Sequence, residues 1–212
     1  MLNNKMFLSK IFIPWRYAKN SYDLHRALWL CFPDRPNDIR NFLFRVENSQ
    51  KGIGVEVLMQ SDDFPQPVGS EVTVLKQREY LLNLRLGQRL RFRLRANPVK
   101  AVKDSRKGTV ERNGKVYSRS ARVPLVCEEQ QRMWLVKKLE MAARLESLII
   151  QQEPPLYFRK VKSTEKSSGK IQPVLFDGLL SVADAEIFYE MIHKGIGPAK
   201  SFGCGLLSLA LV

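Results

Sequence analysis

The sequence has few of the side chains from which metal and redox sites are built. Its three cysteines, Cys31, Cys127 and Cys204, are widely separated and form no Cys-x-x-Cys pair, and only two histidines are present. Because zinc and redox sites need such residues in close groups, the sequence predicts reduced, structural thiols and no metal site or cofactor. Reduced thiols of this kind are typical of a cytoplasmic protein.

Long apolar segments are also missing from the chain. No segment approaches the roughly 20 apolar residues that span a bilayer, and the N-terminal residues lack the apolar core and cleavage site of a signal peptide. Acidic residues are scarce, since 21 Asp and Glu stand against 35 Lys and Arg, a formal net charge of +14. This excess indicates a polyanionic partner, and nucleic acid is favoured over an anionic membrane surface.

The apolar pattern and the turn residues predict an α+β protein. For the first half the predicted elements are a strand at 6–13, a helix from Asn20 or Ser21 to Cys31, and strands at 42–46, 53–59 and 71–84. For the second half they are a strand at 89–95, a hairpin that turns at Asn113-Gly114, a helix at 128–145, a hairpin of strands 156–162 and 170–180, a helix at 182–193 and a strand at 206–212.

The order of these elements predicts two tandem ferredoxin-like (RNA-recognition-motif-like) βαββαβ domains. We place the boundary at Gly87, so that residues 1–86 form the N-terminal domain with the first helix and residues 87–212 form the C-terminal domain. The strand aromatics Phe92 and Phe158 do not follow the base-stacking pattern of the RNA-recognition motif. Recognition through shape and backbone contacts is therefore expected.

A glycine-rich segment near the C-terminus carries a phosphate-binding pattern. Lys200 and Ser201 lie among four glycines that precede a final apolar run, namely Gly195, Gly197, Gly203 and Gly205. Backbone N–H groups of such loops form anion-binding nests, and Lys200 adds a positive charge. The pattern is neither a Walker loop nor a dinucleotide fingerprint, because no Gly-Lys-Ser/Thr opens a helix and the loop precedes a strand. A tight turn before the last strand is the alternative.

The predicted strand at 89–95 places four arginines on one sheet face, because side chains alternate along a strand: Arg89, Arg91, Arg93 and Arg95. These charges repel one another unless an anion lies across them, and the alternative is a solvated face that acidic side chains neutralise. The surrounding run from Arg85 to Arg122 contains only Asp104 and Glu111 as acids. Its further candidates for contact with a nucleic acid are Lys100, Lys103, Arg119 and Arg122.

A second basic cluster lies on the predicted hairpin of residues 156–180. Its members are Arg159, Lys160, Lys162, Lys166 and Lys170. Together with Lys200 and the glycine-rich segment, these side chains could line a groove that neutralises several phosphates. Each such contact would steepen the salt dependence of binding.

Proton-transfer chemistry is indicated at one place, on the first helix. His25 follows Tyr22 by three residues, so the two side chains project from one helix face, and Arg26 is adjacent. Histidine transfers protons near neutral pH, and RNA carries its own nucleophile in the 2′-OH, so cleavage of RNA needs no metal. A structural role is the alternative for this pair. For His193, at the end of the last predicted helix, a structural role is favoured because a cation suits a helix C-terminus.

Several segments of the sequence resemble a known family when they are taken together. They are Met6-Phe-Leu-Ser-Lys10, Tyr22-Asp-Leu-His25, Phe92-Arg-Leu-Arg-Ala-Asn-Pro98, Ser168-Gly-Lys-Ile-Gln172 and Gly195-Ile-Gly-Pro-Ala-Lys-Ser201. In this order they resemble the CRISPR RNA-processing endoribonucleases of the type I-E system, the CasE subunits of the Cascade complex. The resemblance covers essentially the whole chain from Met6.

The resemblance implies tandem ferredoxin-like domains and metal-independent cleavage of precursor CRISPR RNA at the 3′ base of the repeat hairpin. In this reaction the 2′-OH would attack the adjacent phosphate, and the products would be a cyclic phosphate and a 5′-OH. It implies that His25 transfers the proton, most simply as general acid to the leaving 5′-oxygen, and that Tyr22 assists at the 2′-OH. Arg26 would lie next to the scissile site, and the hairpin around Lys160 to Lys170 would enter the major groove of the stem.

The resemblance further implies that the glycine-rich segment supports the fold and the path of the RNA backbone. The enzyme would keep its product and cap the 3′ hairpin of the guide RNA beside the other Cascade subunits. A non-catalytic subunit that binds a hairpin RNA is the alternative, and it would differ only at His25 and Tyr22. A DNA-binding protein is disfavoured, because no helix carries base-reading residues at its N-terminal turn.

Overall fold

Each half of the chain forms a four-stranded antiparallel sheet, and the computed structural model describes residues 5–33, 40–104, 108–162 and 165–212. The elements of the N-terminal half are β1 (Phe7–Pro14), α1 (Ser21–Leu30), β2 (Phe42–Gln50), β3 (Gly54–Ser61) and β4 (Thr73–Glu79). Their order in the sheet is β2-β3-β1-β4. Strand β2 is longer and β4 shorter than predicted. No second helix lies between β3 and β4, where Pro65, Pro67 and Gly69 prevent one, so this half is βαβββ.

The C-terminal half repeats the same sheet with both helices present. Its framework is β5 (Arg89–Ala96), α2 (Glu128–Leu139), β10 (Ala143–Gln152), β13 (Val174–Val182), α3 (Ala185–Lys194) and β14 (Leu207–Leu211). Their order in the sheet, β10-β13-β5-β14, is equivalent to that of the first half. The predicted α+β class and the tandem ferredoxin-like architecture are therefore confirmed. The exact boundary at Gly87 stays a prediction.

Three hairpins are inserted into this second framework. They are β6 (Val99–Lys103) with β9 (Ser120–Pro124), β7 (Thr109–Arg112) with β8 (Lys115–Ser118), and β11 (Leu156–Lys162) with β12 (Glu165–Ile171). The turn at Asn113-Gly114 connects β7 and β8 as predicted, and both of its residues have positive φ. The inserted hairpins extend the basic surface beyond the two sheets.

Two predicted elements of the second half are wrong in their extent. The helix predicted at 128–145 ends at Leu139, and β10 begins at Ala143. The prediction was too long because Ala142 and Ala143 continue the apolar spacing of the helix. The strand predicted at 170–180 is two strands, β12 and β13, separated at Pro173, which lacks the N–H that a continuous strand needs. Strand β13 consequently pairs with β10 and β5, and the basic hairpin consists of β11 and β12.

Each sheet packs a buried face against its helices. The N-terminal core includes Ile11, Leu28, Phe44, Val57 and Met59, and the C-terminal core includes Leu94, Leu135, Phe176, Leu180 and Phe188. Among the cysteines, Cys31 and Cys204 are buried, which raises the pKa of each thiol to about 12. Cys127 is exposed at the start of α2.

The two sheets are joined by side chains that cross from one to the other. Arg45 of β2 donates hydrogen bonds to the carbonyl of Arg93 at 2.9 Å and to Oγ of Ser208 at 2.9 Å. Gln60 of β3 donates to the carbonyl of Ile192 at 3.0 Å. These bonds join β2 and β3 to β5, β14 and the end of α3. The helices that the structure describes are too short or too polar to cross a bilayer.

Candidate nucleic-acid interface

His25 lies half-buried where α1 packs on β2. Asn20 begins α1, because its side-chain oxygen accepts hydrogen bonds from the backbone N–H groups of Tyr22 and Asp23. The imidazole ring is 5.8 Å from the ring of Phe42 and 6.3 Å from that of Phe44, centroid to centroid. Nε2 of His25 is buried without a hydrogen-bond partner among the described residues. A bound molecule is the natural source of such a partner.

The pKa of His25 is lowered from 6.5 to about 4, first by burial and second by the positive charge of Arg40. The imidazole is therefore neutral at pH 7 in the free protein. A histidine that acts as a general acid has to carry its proton before the bond breaks, so an anion beside His25 would have to raise this pKa.

Tyr22 and Arg26 lie on the exposed side of α1. The side chain of Tyr22 is 64% exposed, and the guanidinium of Arg26 lies 6.0 Å from the centre of its ring. The described ring contacts of His25 are with Trp29, Phe42 and Phe44, so Tyr22 is on an adjacent part of the helix and not stacked on the imidazole.

Arg40 is a further residue of this site that the sequence did not indicate. It precedes β2 by two residues and is half-buried, and its Nη1 donates a hydrogen bond to Oγ of Ser201 at 2.9 Å. Burial lowers the pKa of Arg40 as well. Arg40 precedes Phe42 and Phe44 at alternate positions, which is ordinary strand spacing and does not mark it as functional.

The glycine-rich segment is a tight loop that packs on β2 and α2. Gly195, Gly197, Gly203 and Gly205 all have positive φ. A Cβ at Gly197 would lie 2.9 Å from the Trp134 ring, and one at Gly203 would lie 3.1 Å from the Phe44 ring. Close packing therefore requires these glycines. Several loop N–H groups bond to carbonyls of the chain itself, including that of Ile196 to Gly205 and that of Gly205 to Arg95, which leaves a smaller anion nest than predicted.

A cavity of about 560 Å³ opens between this loop and the inserted hairpins, within the size range of ligand pockets. It brings together five of the predicted contact residues with Arg40: Arg122, Lys170, Gly197, Lys200 and Ser201. Burial and the charge of Arg40 lower the pKa of Lys200. Gly195 lies beside the cavity, against Leu43. The cavity is lined by cations and by no acidic residue of the described chain, which is the arrangement that a phosphate backbone requires.

Three arginines on the exposed face of β5 are paired with acidic side chains, which is the alternative left open for this face. Arg89 pairs with Glu146 at 2.8 Å, Arg93 with Asp177 at 2.7 Å and Arg95 with Glu153 at 2.7 Å. Arg95 is also buried, because the glycine-rich loop covers it and accepts its hydrogen bonds at Phe202 and Gly203. Arg91 is exposed on this face and has no ion pair among the described residues. Three of the four arginines are thus already paired in the free protein, and contact of the four with RNA stays a prediction.

The remaining predicted contacts lie on the inserted hairpins. Lys100, Lys103 and Arg119 are exposed on or beside β6 and β9. Lys170 is exposed on β12, with its Nζ 6.0 Å from the ring of Tyr157 on the neighbouring strand. The side chains of four predicted residues lie outside the described part of the structure: Arg159, Lys160, Lys162 and Lys166. Helix α1 lies next to both β11 of the basic hairpin and the turn Lys200–Phe202 of the glycine-rich loop.

His193 is part of the contact between the two halves. His193 lies at the end of α3, and its Nε2 is 2.8 Å from Oδ1 of Asp62, which follows β3. The contact with Asp62 gives His193 a structural role, as the sequence analysis favours. No group of three or more His, Cys, Asp or Glu side chains suited to a metal ion occurs among the described residues.

The low pKa of His25 predicts a loss of stability in acid. Between pH 6.5 and about 4 the unfolded chain binds more protons at this residue than the folded chain, so the free energy of unfolding falls as the pH falls through this window. Urea unfolding at about pH 7 and about pH 4.5 should show a smaller loss for His25→Gln than for the wild type. An equal loss in both proteins would contradict the expectation, because His193 and every other titratable group are common to them.

The fold and the site define a tandem ferredoxin-like protein with a cationic groove beside a half-buried histidine. A family model described as CRISPR associated protein matches residues 6–210, and the chain belongs to this family. It is 43% identical over 205 residues to the CRISPR system Cascade subunit CasE of Escherichia coli K12, covering 97% of this chain and 99% of that one. The resemblance stated from the sequence is thereby confirmed.

More distant relatives and solved structures agree with this membership. The chain is 30% identical to the CRISPR-associated endoribonuclease Cse3 of Thermus thermophilus, covering 92% of both chains. The crystal structure of Cas6e from Escherichia coli K-12 superposes with a TM-score of 0.79 at 42% identity, over 97% of this chain and all of that one. Thermus thermophilus Cse3 bound to an RNA that represents a pre-cleavage complex superposes with a TM-score of 0.74 at 28% identity, over 97% and 99% of the two chains.

Proposed function

We propose that this chain is a CRISPR-specific endoribonuclease that processes precursor CRISPR RNA and remains on the mature guide as a subunit of Cascade. The relatives named CasE and Cse3, one of them bound to RNA, support this class. The observation that carries the chemistry is the half-buried imidazole of His25, whose Nε2 has no hydrogen-bond partner among the described residues and whose helix contacts both β11 and the turn Lys200–Phe202. We further propose that the protein works in the cytoplasm, with residues 1–86 and 87–212 as its two domains.

The proposed reaction is cleavage at the 3′ base of the repeat hairpin without a metal ion. The 2′-oxygen forms a bond to the adjacent phosphorus, and the bond from phosphorus to the 5′-oxygen breaks. The 2′-OH loses its proton to solvent water, with Tyr22 orienting the hydroxyl, and the leaving 5′-oxygen receives a proton from His25. The products are a 2′,3′-cyclic phosphate and a 5′-OH, so no water is consumed in this step.

The RNA itself would prepare His25 for this role. In the free protein the imidazole has a pKa of about 4 and is neutral at pH 7. A phosphodiester next to Arg40 and His25 would offset the positive charge and favour the protonated imidazole. Protonation of the general acid is thus coupled to the presence of substrate.

The contacts that hold the RNA follow from the cationic groove. We assign the phosphate backbone near the cut to Arg26, Lys200 and Ser201, and the adjoining stem to Arg122 and Lys170 of the groove wall. The basic hairpin, with Arg159, Lys160, Lys162 and Lys166, remains the proposed contact to the major groove. Lys100, Lys103 and Arg119 extend the same surface, and the glycines support the loop.

The test of this function is cleavage of a labelled repeat hairpin RNA by the purified protein in EDTA. A parallel sample carries one 2′-deoxy nucleotide immediately upstream of the cut. We expect complete cleavage of the all-ribose RNA and none of the deoxy RNA, because the attacking nucleophile is then absent. Cleavage of both RNAs would contradict attack by the 2′-OH, and tight binding without cleavage of either would support a non-catalytic RNA-binding subunit.

A further inference from the structure

We propose that Arg40 is a further catalytic residue of this chain. From the position in which Ser201 holds it, Arg40 contacts the phosphate at the cleavage site. Its charge also governs the protonation of His25. The inference rests on the proposed function and adds a residue to its chemistry. Arg40 belongs neither to the basic hairpin nor to the first helix, and nothing in the local sequence pattern marks it as functional.

The placement of Arg40 is the first argument. Its guanidinium bonds to Ser201 in the turn Lys200–Phe202, which contacts α1, and its charge acts on His25 of that helix. It lines two cavities, one with Lys200, Arg122 and Lys170 and another with Asp62, His193 and Lys194. Arg40 is therefore at the junction of the cationic groove and the imidazole.

The unused hydrogen-bonding capacity of Arg40 is the second argument. Nη1 donates to Ser201, whereas Nε is buried and has no hydrogen-bond partner among the described residues. Asp62, the acidic residue that shares a cavity with Arg40, is already paired with His193. A buried guanidinium N–H without a partner is costly, and a phosphate oxygen satisfies it in the charge-assisted geometry that arginine favours.

The charged and titratable groups around His25 form the third argument. On α1 and the elements that pack against it, those that the structure describes are Tyr22, Asp23 and Arg26 of α1, Arg16 and Tyr17 of the turn before it, Arg40, Arg45 and Glu47 before or on β2, Lys200 and Tyr157. Of these, Arg40 is the one whose charge adds to burial in lowering the pKa of His25. Neutralisation of Arg40 by a phosphate would release this effect, so the general acid would gain its proton when the substrate is in place.

The experiment separates the charge of Arg40 from its role in packing. Single-turnover cleavage of the repeat hairpin RNA is measured against pH for the wild type, Arg40→Gln, Arg40→Lys and Arg78→Gln. Arg78 is an exposed arginine on β4, at the sheet edge opposite to β2, and serves as the matched control. We expect Arg40→Gln to cleave about 10²–10³-fold more slowly, as for the loss of one transition-state donor. Arg40→Lys should recover part of the rate, and Arg78→Gln should match the wild type.

An NMR titration of His25 in the free proteins provides a readout that packing alone would not produce. The pKa of His25 should rise in Arg40→Gln and stay low in Arg40→Lys, because only the first variant loses the charge. A rise in both variants would indicate loosened packing and would overturn the electrostatic role. Wild-type rate together with an unchanged pKa in Arg40→Gln would overturn the whole inference.

Failure of the proposed function gives a different result from failure of this inference. If the wild type does not cleave the RNA, the proposed function fails and the inference fails with it. If the wild type cleaves and the Arg40 variants cleave equally well, only the inference fails. Should Arg40→Gln not fold, Arg40→Lys and Ser201→Ala decide: slower cleavage by both supports the inference, and wild-type rates in both overturn it.

Discussion

Replacement of His25 by alanine is expected to abolish RNA cleavage and to leave hairpin binding unchanged. General acid–base catalysis by one positioned side chain contributes about 10²–10⁴-fold, so single-turnover cleavage should slow by at least this order. Binding should persist, because the cations that neutralise the phosphates, including Lys200, Arg122 and Lys170, are untouched. The measurement is a cleavage time course together with the affinity for a 2′-deoxy hairpin that cannot be cut.

The second histidine of the chain supplies the control for this experiment. His193→Gln removes an imidazole that pairs with Asp62 at the junction of the halves and makes none of the described ring contacts of His25. This variant should cleave at the wild-type rate. If His25→Ala cleaved as fast as the wild type, His25 could not be the general acid, and a structural role on α1 would explain its position.

Replacement of Arg45 by alanine is expected to cause a large loss of stability. The side chain is only 4% exposed, and its Nε donates to Oε1 of Glu47 at 2.7 Å while its other nitrogens donate to Arg93 and Ser208 in the other half of the chain. Burial lowers the pKa of Arg45, and Glu47 partly offsets this effect. Its removal leaves the partly buried carboxylate of Glu47 without this partner and takes one of two side-chain donors from the Arg93 carbonyl, which costs about 2–4 kcal/mol in the free energy of unfolding.

Urea unfolding of four variants would show which contacts of Arg45 account for the loss of stability. Arg45→Ala should be much less stable than Arg78→Ala, which removes an exposed arginine at the far edge of the same sheet. Glu47→Ala keeps the bonds to the other half, so its loss should be smaller, and the double variant Arg45→Ala/Glu47→Ala should recover part of the cost of the single one. Equal stability of Arg45→Ala and Arg78→Ala would contradict a role for Arg45 in joining the two halves.

The alternation of β5 shows how far a sequence pattern carries. It correctly predicts that Leu90, Phe92 and Leu94 are buried and that the arginines point to the other side of the sheet. It does not reveal what covers that side. Glu146 and Asp177 come from strands β10 and β13, and the loop that buries Arg95 comes from the end of the chain, so the arginine face is paired in the folded protein.

Helix boundaries were predicted well where a local signal is present and poorly where one is absent. Asn20 marks the start of α1 because its side chain caps the helix over the next few residues. No comparable signal marks the end of α2, and the apolar residues Leu139, Ala142 and Ala143 keep a helical spacing into β10. The pairing of β10 with β13 decides this end, and that pairing joins residues far apart in the chain.

Residue types, their spacing and the order of the predicted elements are enough to predict the α+β class, the tandem ferredoxin-like order, the basic character and the candidate His25. Which cations share a groove depends on contacts between distant parts of the chain. Arg40 and Ser201 are separated by 161 positions and meet at 2.9 Å, since packing of the glycine-rich loop on β2 brings them together. Spacing along the chain carries no information about such a contact, so the electrostatic environment of His25 emerges only on folding.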